Sequence, residues 1–303
     1  MNILLTGATG FIGRALCRRL RLDGHSLTVI SRRPEQVTAL LGAEVAAFKD
    51  VRALWQQHPD AAFDAIINLA GAPIAARRWT PNYKRELIDG RVRMTQDIVW
   101  LCEQLIELPH VVISGSAMGF YGDQGAAAVT EATAPHDDFA HRLCQAWELA
   151  ASPLAESGAR LITLRLGLVL GRSGGMLKSM LPAFRCGMGG WIGRGRAMMP
   201  WVLLDDVVRA IIYMLTEPSL SGPVNMSAPV PVSQRDFMKA VGHALNRPVW
   251  VRVPTLAVWL ALGERASLLT ASVNMRPTKL LSSGFAFTAP QLPAALAKAL
   301  HDT

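Results

Sequence analysis

Apolar residues in the first half of the chain follow two different spacings. Short runs rich in Val, Ile and Leu alternate with longer stretches in which apolar residues recur at the spacing of an amphipathic helix. The predicted strands are Asn2–Thr6, Ser26–Ser31, Glu44–Phe48, Ala65–Leu69, Val111–Ser114 and Arg160–Leu166. The predicted helices are Phe11–Asp23, Pro81–Ile106 and Asp138–Ser157. This alternation is typical of an α/β fold in which helices cover a doubly wound parallel sheet.

The pattern changes after Leu170, where glycine- and proline-rich segments are interleaved with short helical ones such as Asp205–Leu215. We expect a larger domain over residues 1–170, to which later segments add a strand and helices, and a smaller mixed lobe over residues 171–303. The most lipid-like stretch, residues 253–270, is interrupted by Glu264 and Arg265 well short of the ~20 apolar residues that span a bilayer. It predicts a buried or interface helix.

Composition narrows the class of protein. Of 303 residues, 50% are apolar and 18% are charged, which excludes a disordered chain. The net charge of +8 suits nucleic acid, a phosphate-bearing cofactor or an acidic metabolite, but the basic residues are dispersed, which argues against nucleic acid. The four cysteines are isolated, without the spacing of a metal site. No metal is expected, and reduced thiols suit a cytoplasmic protein.

Gly7, Gly10 and Gly13 form a GxxGxxG motif directly after a predicted strand and at the start of a helix. Such glycines allow a tight turn, close approach of a pyrophosphate to the backbone, and close packing of helix on strand. The amides at the helix N-terminus then face the anion. The motif predicts dinucleotide binding by a Rossmann-type domain.

The second predicted strand ends in Ser31, Arg32 and Arg33, where a carboxylate would bind the adenine-ribose hydroxyls of NAD. A hydroxyl and a guanidinium suit a 2′-phosphate instead. The alternative is a pair of solvated surface arginines. We favour NADP as the cofactor.

These motifs resemble the extended short-chain dehydrogenase/reductase superfamily. TGATGFIG (6–13) resembles its cofactor loop, and INLAGAP (67–73) its fourth-strand motif. More narrowly, the chain is similar to the atypical, YfcH-type "epimerase family" branch, which has a small C-terminal domain. The matching segments include RRWT (77–80), SGSAMGFYGD (114–123), FAHRLCQAWE (139–148), RLGLVLGRSGGML (165–177) and LPAFRCGMGGWIGRG (181–195).

The resemblance implies a set of cofactor-binding residues. They are Thr6, Gly7, Thr9, Gly10, Phe11, Ile12, Gly13, Ser31, Arg32, Leu69, Ala70, Gly71, Glu86, Arg91, Ser114 and Val169. The role of Arg91 is also supported independently of the resemblance, because a buried helix arginine usually needs an anionic partner. An ordinary salt bridge on the helix is its alternative. The chain departs from the branch at Gly71-Ala72-Pro73, where relatives usually show Gly-Glu-Pro, so a polar pocket group is missing.

Working members of the superfamily pair a Tyr with a Lys four residues later, next to a Ser or Thr. Ser116 occupies the Ser position and is predicted to be a catalytic residue that orients the substrate oxygen, but the Tyr and Lys positions read Phe139 and Leu143. Phenylalanine cannot transfer a proton, so the catalytic dyad is absent. Tyr121 is a candidate replacement acid, although the equivalent residue in typical relatives shapes the substrate pocket.

Other polar and aromatic residues near this site have open roles. His141 and Arg142 are expected on a solvated helix face. Asp123 and Glu131 are expected in turns or caps rather than on a substrate. In the smaller lobe, Arg185, Arg194 and Arg196 suit either an anionic substrate group or solubility, and Trp201 suits packing.

Two hypotheses of function follow. The first is an NADP(H)-dependent epimerase- or oxidoreductase-like enzyme that acts on a small, anionic or sugar-like molecule. The second is a redox sensor or scaffold that binds NADP(H) without turnover, as the missing dyad suggests. The expected partners are a small-molecule substrate and a second copy in a homodimer, with no nucleic acid and no membrane.

Overall fold

The computed structural model describes residues 1–42 and 44–301. The strands of this part are β1 (Asn2–Thr6), β2 (Ser26–Ile30), β3 (Ala46–Phe48), β4 (Ala65–Asn68), β5 (Val111–Ala117), β6 (Ala128–Val129), β7 (Arg160–Leu166), β8 (Leu168–Leu170), β9 (Gly189–Ile192), β10 (Met198–Met199), β11 (Trp201–Leu203), β12 (Gly222–Met226), β13 (Val232–Ser233), β14 (Val249–Val253) and β15 (Asn274–Met275).

The α-helices of the same part are α1 (Phe11–Leu22), α2 (Pro34–Leu41), α3 (Val51–Gln57), α4 (Pro81–Gln104), α5 (Phe139–Glu156), α6 (Gly175–Arg185), α7 (Leu204–Thr216), α8 (Gln234–Ala244), α9 (Thr255–Leu262), α10 (Ser267–Thr270), α11 (Thr278–Ser282) and α12 (Leu292–His301). Two short 3-10 helices cover Met118–Tyr121 and Gly263–Ala266.

A parallel sheet of seven strands forms the centre of the described chain, in the order β12-β7-β5-β4-β1-β2-β3. The order reverses between β1 and β4, which is the switch point where ligands bind in Rossmann-type sheets. The predicted α/β class, with its doubly wound parallel sheet, is confirmed.

Helices cover both faces of this sheet. On one face the core joins α1 and α7 to the alternate residues of the strands, with Leu5, Leu16 and Ile211 fully buried. On the other face α3, α4 and α5 pack over the intervening residues, with Leu4 and Leu101 fully buried. Burial on both faces explains why β1, β4 and the first residues of β5 are continuous apolar runs.

The smaller lobe has a core of its own, built from α6, α8 and α12 around Trp201 and Phe237. The later chain also returns to the main sheet, because β12 pairs in parallel with the outer edge of β7. Residues beyond 170 therefore complete the large sheet.

Two regions differ from their predictions. Helices α2 and α3 were not predicted, although Asp50 caps α3 by accepting a hydrogen bond from the Ala53 amide at 2.8 Å. Within residues 253–270 the chain forms α9, whose side chains are mostly exposed apart from Val258. The first alternative of the expectation, a buried helix, is therefore wrong, and an interface helix stays a prediction. No helix in the described part of the chain combines the length and hydropathy needed to cross a membrane.

Candidate active site

The turn between β1 and α1 brings the backbone of two strands and one helix into close contact. Gly7 has a φ of +75°, and a Cβ atom there would lie 2.6 Å from the Leu69 carbonyl. A Cβ atom on Gly13 would lie 2.2 Å from the Gly7 oxygen. Both positions therefore require glycine. The Gly10 N-cap has no side-chain hydrogen bond, so the first amides of α1 remain available to an anion.

A loop from the smaller lobe packs against the first residue of α1. The Phe11 ring lies against Gly171 and Gly174, where added Cβ atoms would come within 2.8 and 2.5 Å of ring atoms. Gly175, with a φ of +66°, continues the same loop, and a Cβ there would lie 2.7 Å from the Val169 oxygen. The loop from Val169 to Gly175 therefore packs on Phe11, one of the predicted cofactor residues.

Buried polar side chains at the carboxyl ends of β1 and β4 form a hydrogen-bonded chain. Thr6 Oγ1 donates to Asn68 Oδ1 at 2.7 Å, and Asn68 Nδ2 donates to Thr95 Oγ1 at 2.9 Å. The Ala70 amide donates to Thr6 Oγ1 at 3.2 Å. These bonds fix the backbone of residues 69–71, where Leu69, Ala70 and Gly71 were predicted to contact the cofactor. Asn68 and Thr95 were not predicted.

Arg91 extends from α4 into this edge of the sheet and is 8% exposed. Its Nη1 donates to the Leu87 oxygen at 2.9 Å and its Nη2 to the Ala72 oxygen at 2.8 Å, while Nε is buried without a partner. A Cβ on Gly71 would lie 3.0 Å from the guanidinium carbon. Burial lowers the pKa of Arg91, and no carboxylate pairs with it among the described residues.

The other predicted cofactor residues are placed differently. Ser31 and Arg32 follow β2, with Ser31 half-buried and Arg32 exposed. Ser114 is aligned with Asn68 in the β4–β5 register, and its buried hydroxyl has no partner. Glu86 lies on the outward side of α4, 64% exposed, with an ion pair of 4.0 Å to Arg77. No contact of Glu86 in the described chain joins it to the strand edge.

Ser116 lies near the carboxyl end of β5, facing α5. Its hydroxyl donates to Glu148 Oε1 at 2.6 Å. Arg165, aligned with Ser116 in the β5–β7 register, donates from Nε and Nη2 to the two oxygens of Glu148. The side chain of Glu148 is 15% exposed and that of Arg165 is 4% exposed. Burial lowers the pKa of Arg165, but the bonds and charge of Glu148 outweigh it and raise that pKa overall.

Tyr121 lies behind this ion pair and is fully buried. Its hydroxyl donates to Asn225 Oδ1 at 2.6 Å and accepts from Arg165 Nη1 at 3.0 Å. Burial raises the pKa of Tyr121 despite the nearby guanidinium. Because the hydroxyl has no exposed surface, the structure favours a structural role for Tyr121 over the acid–base role suggested by the sequence.

The helix that carries the Tyr and Lys of working relatives carries apolar residues at both positions. Phe139 and Leu143 are 5% and 3% exposed and pack with Tyr83 and Leu87. Arg142 lies on a solvated face, as expected, with an ion pair to Asp137. The same expectation is wrong for the His141 side chain, which is 6% exposed with Nδ1 at 2.7 Å from the Phe120 oxygen.

Of the remaining candidate residues, Trp201, Asp123 and Glu131 have structural contacts. Trp201 is fully buried, and its Nε1 donates to the Val230 oxygen at 3.1 Å, which confirms packing. Asp123 Oδ1 accepts from the Gly125 amide in a turn. Glu131 Oε1 accepts from the amides of Asn225 and Lys279. Arg185, Arg194 and Arg196 are exposed.

The glycine turn, the switch point and the polar strand edge define a dinucleotide-binding protein of the extended short-chain dehydrogenase/reductase type. The family model of the NAD dependent epimerase/dehydratase family matches residues 3–226, and this chain belongs to that family. A second model, a domain of unknown function (DUF1731), matches residues 253–299.

Individual relatives cover almost the whole chain. Epimerase family protein Mb2239 of Mycobacterium bovis is 36% identical over 286 residues, or 94% of this chain and 93% of the relative. Epimerase family protein YfhF of Bacillus subtilis is 33% identical over 303 residues, or 100% and 99%. The crystal structure of human epimerase family protein SDR39U1 (isoform 2) with NADPH has a TM-score of 0.87 at 29% identity and covers 100% of both chains.

The residues present fit the nicotinamide dinucleotide that the family implies. A Cβ atom would fill the turn at Gly7, so the close approach that a pyrophosphate needs is built into the backbone. Two buried polar atoms at the same edge, Arg91 Nε and Ser114 Oγ, have no hydrogen-bond partner among the described residues and are available to a ligand.

Proposed function

We propose that this protein is an NADP(H)-dependent oxidoreductase or epimerase-like enzyme that acts on a small, anionic or sugar-like molecule. The observation that carries this proposal is the Ser116–Glu148–Arg165 cluster. It places a carboxylate beside the Ser position of the superfamily, on the helix that normally bears the missing Tyr and Lys. The site thus keeps a group that can exchange protons.

The choice of NADP rests on the end of β2. Arg32 is exposed there, without an ion pair in the described chain, and Ser31 stands beside it. A free guanidinium and a hydroxyl match the charge and hydrogen-bonding capacity of a 2′-phosphate. The similarity to the structure of human SDR39U1 with NADPH supports the same choice.

A bound nicotinamide supplies hydride transfer at its C4 atom, so the protein must handle the accompanying proton. Ser116 is 2% exposed and its hydroxyl hydrogen is directed at Glu148, which limits Ser116 to positioning. The side chain of Glu148 is 15% exposed, more than those of Ser116 and Arg165, so Glu148 is the most accessible group of the cluster. We assign the proton transfer to Glu148. Its carboxylate accepts a proton from a substrate hydroxyl during oxidation and returns that proton during reduction.

Arg165 and Ser116 hold this carboxylate in place. The two bonds from Arg165 orient the plane of the carboxylate, and the bond from Ser116 fixes one of its oxygens toward the carboxyl end of β5. The cationic side chain of Arg91 lies further along the same edge, where it suits an anionic part of the cofactor or substrate.

A second candidate function is NADP(H) binding without turnover, as in a redox sensor. The specific observation in its favour is that Phe139 and Leu143, both buried, occupy the Tyr and Lys positions, so neither member of the usual dyad is present. In this case the Glu148 cluster would serve stability alone.

A measurement of turnover distinguishes the two candidate functions. We would load the protein with NADPH and screen a panel of carbonyl metabolites for loss of the nicotinamide absorbance. For an enzyme, the Glu148→Gln variant loses at least about 100-fold in rate while it still binds NADPH. Glu156→Gln, an exposed change on the same helix, is the matched control. Tight NADPH binding with no oxidation across the panel would establish the sensor instead.

A further inference from the structure

The C-terminal lobe carries a large exposed apolar surface. Trp250, Leu256, Trp259, Leu260 and Leu269 are 70%, 70%, 41%, 76% and 39% exposed. They belong to one segment of the chain, whereas most other exposed apolar side chains of the described residues lie singly on separate elements. We call these five residues the α9 surface. Several large exposed apolar side chains within one short segment indicate an interaction site rather than ordinary surface variation.

The helix at the centre of this surface is unusual for an exposed element. Its sequence, TLAVWLAL, contains no charged residue, and Val258 is its one side chain buried against the protein. A helix that is apolar on all sides is normally buried in a core or in lipid. Here the protein itself covers little of it, so the covering surface must come from outside.

Basic residues surround the α9 surface. Between residues 245 and 270 the acidic residue is Glu264, which pairs with Lys84. Arg252 is exposed on the same strand as Trp250, and its Nε donates to the Gly193 oxygen at 2.7 Å. At the other end, Arg78 Nη2 donates to the Ala261 oxygen at 3.3 Å. The exposed basic side chains of this rim are Arg78, Arg247 and Arg252.

The charge of this rim selects between possible occupants. Two copies of the chain, each with a net charge of +8, would bring identical cationic rims together if they paired through this surface. A lipid layer with an apolar interior and anionic headgroups is complementary both to the apolar side chains of the α9 surface and to the basic rim. Exposed Trp and Leu with flanking Arg are also the side chains by which interfacial helices enter the headgroup region of a bilayer.

We propose that this protein docks peripherally on an anionic lipid membrane through the α9 surface. Leu256, Trp259 and Leu260 enter the headgroup boundary, and the arginines of the rim bind lipid phosphates. This proposal replaces the expectation from the sequence that a membrane is not a partner. It is independent of turnover, since none of these residues belongs to the nucleotide site.

The test is co-sedimentation of the full chain, loaded with NADPH, with vesicles of phosphatidylcholine alone or with about 30% phosphatidylglycerol. We expect binding to the anionic vesicles that weakens as salt is raised. The double variant Leu256→Glu/Leu260→Glu should reduce it by at least about tenfold. The control Leu22→Glu/Ile106→Glu, which changes two equally exposed side chains elsewhere, should bind like the parent. Retained NADPH binding shows that each variant is folded.

Two results would overturn the proposal. One is absence of binding to anionic vesicles, or equal loss in the test and control variants. The other is a dimer in sedimentation velocity that the Leu256→Glu/Leu260→Glu change dissociates, which would assign the α9 surface to a second copy of the chain.

Discussion

Arg165 donates from Nε and Nη2 to the two carboxylate oxygens of Glu148, at 3.0 and 2.8 Å. Arg165 lies on a central strand and is almost fully buried, so its charge depends on this partner. Loss of one member of a buried ion pair leaves the other charge uncompensated, which is far more costly than the loss of an exposed pair. The contribution of this ion pair to stability can therefore be tested without knowing the substrate.

Glu148→Gln should lower the free energy of unfolding by about 3 kcal/mol, because the Arg165 guanidinium remains buried without its counter-charge. The control is Asp89→Asn, which removes the exposed ion pair with Arg93 at 3.9 Å and should cost less than about 0.5 kcal/mol. Urea unfolding followed by circular dichroism measures both. Similar losses for the two variants would show that Glu148 contributes no special stability.

Gly7 and Gly24 provide a matched pair for the nucleotide turn. Both have a positive φ, +75° and +80°, but an added Cβ meets the Leu69 carbonyl at 2.6 Å in Gly7 and nothing within 4 Å in Gly24. Both alanine variants should lose about 1 kcal/mol of stability from backbone strain, and Gly7→Ala should lose more because its Cβ also clashes with the Leu69 carbonyl. Gly7→Ala alone should also weaken NADPH binding, by at least about 100-fold in calorimetric titration. Unchanged affinity in Gly7→Ala would place the dinucleotide elsewhere.

Arg32→Asp should distinguish the two nicotinamide cofactors. An aspartate at this position removes the cation for a 2′-phosphate and adds a carboxylate suited to ribose hydroxyls. The dissociation constant for NADPH should rise by at least about tenfold relative to that for NADH. Arg93→Asp, the same charge change on α4, should leave the ratio of the two constants unchanged. Equal weakening of NADPH and NADH by Arg32→Asp would contradict the 2′-phosphate assignment.

Buried thiols should make the protein less stable at alkaline pH. Burial raises the pKa of Cys17, Cys102 and Cys144 from 9.0 to about 12, while Cys186 is exposed. The folded chain therefore holds these protons more tightly than the unfolded chain. Their contribution to the free energy of unfolding is complete below pH 9 and is lost between pH 9 and about 12, at about 1.4 kcal/mol per thiol for each pH unit.

Urea unfolding at several pH values between about 8 and 11 measures this slope. Cys102→Ala should make it shallower, because one buried thiol is removed, and Cys186→Ser should leave it as in the parent. A slope that is the same in all three proteins would exclude the thiols as its cause.

The sequence predicts the sheet well but ends β5 too early. The prediction stops at Ser114 because Gly115, Ser116 and Ala117 have low strand propensity. In the structure these residues remain in the strand because they pair with β7, with Ser116 aligned with Arg165. Pairing with the distant strand β7 thus overrides the low strand propensity of these residues, and it orients Ser116 toward α5.

Glu148 was missed because its role depends on a contact across 17 residues with Arg165. Half of the signal is visible in the sequence: an arginine in the apolar strand RLITLRL requires a buried acidic partner. The identity of that acidic partner cannot be read from the sequence, because it depends on how α5 packs over β5 and β7. For the same reason the Thr6–Asn68–Thr95 chain follows from the tertiary structure alone.

The place of β12 at the edge of the sheet has a consequence for synthesis of the chain on the ribosome. The outer edge of β7 pairs with β12, and the intervening residues, 167–221, must be translated first. At ordinary translation rates this apolar edge stays without its neighbour for several seconds. Unpaired strand edges recruit other strands. The nascent polypeptide, rather than the finished protein, is thus the form most exposed to aggregation, and the form on which a ribosome-associated chaperone would act.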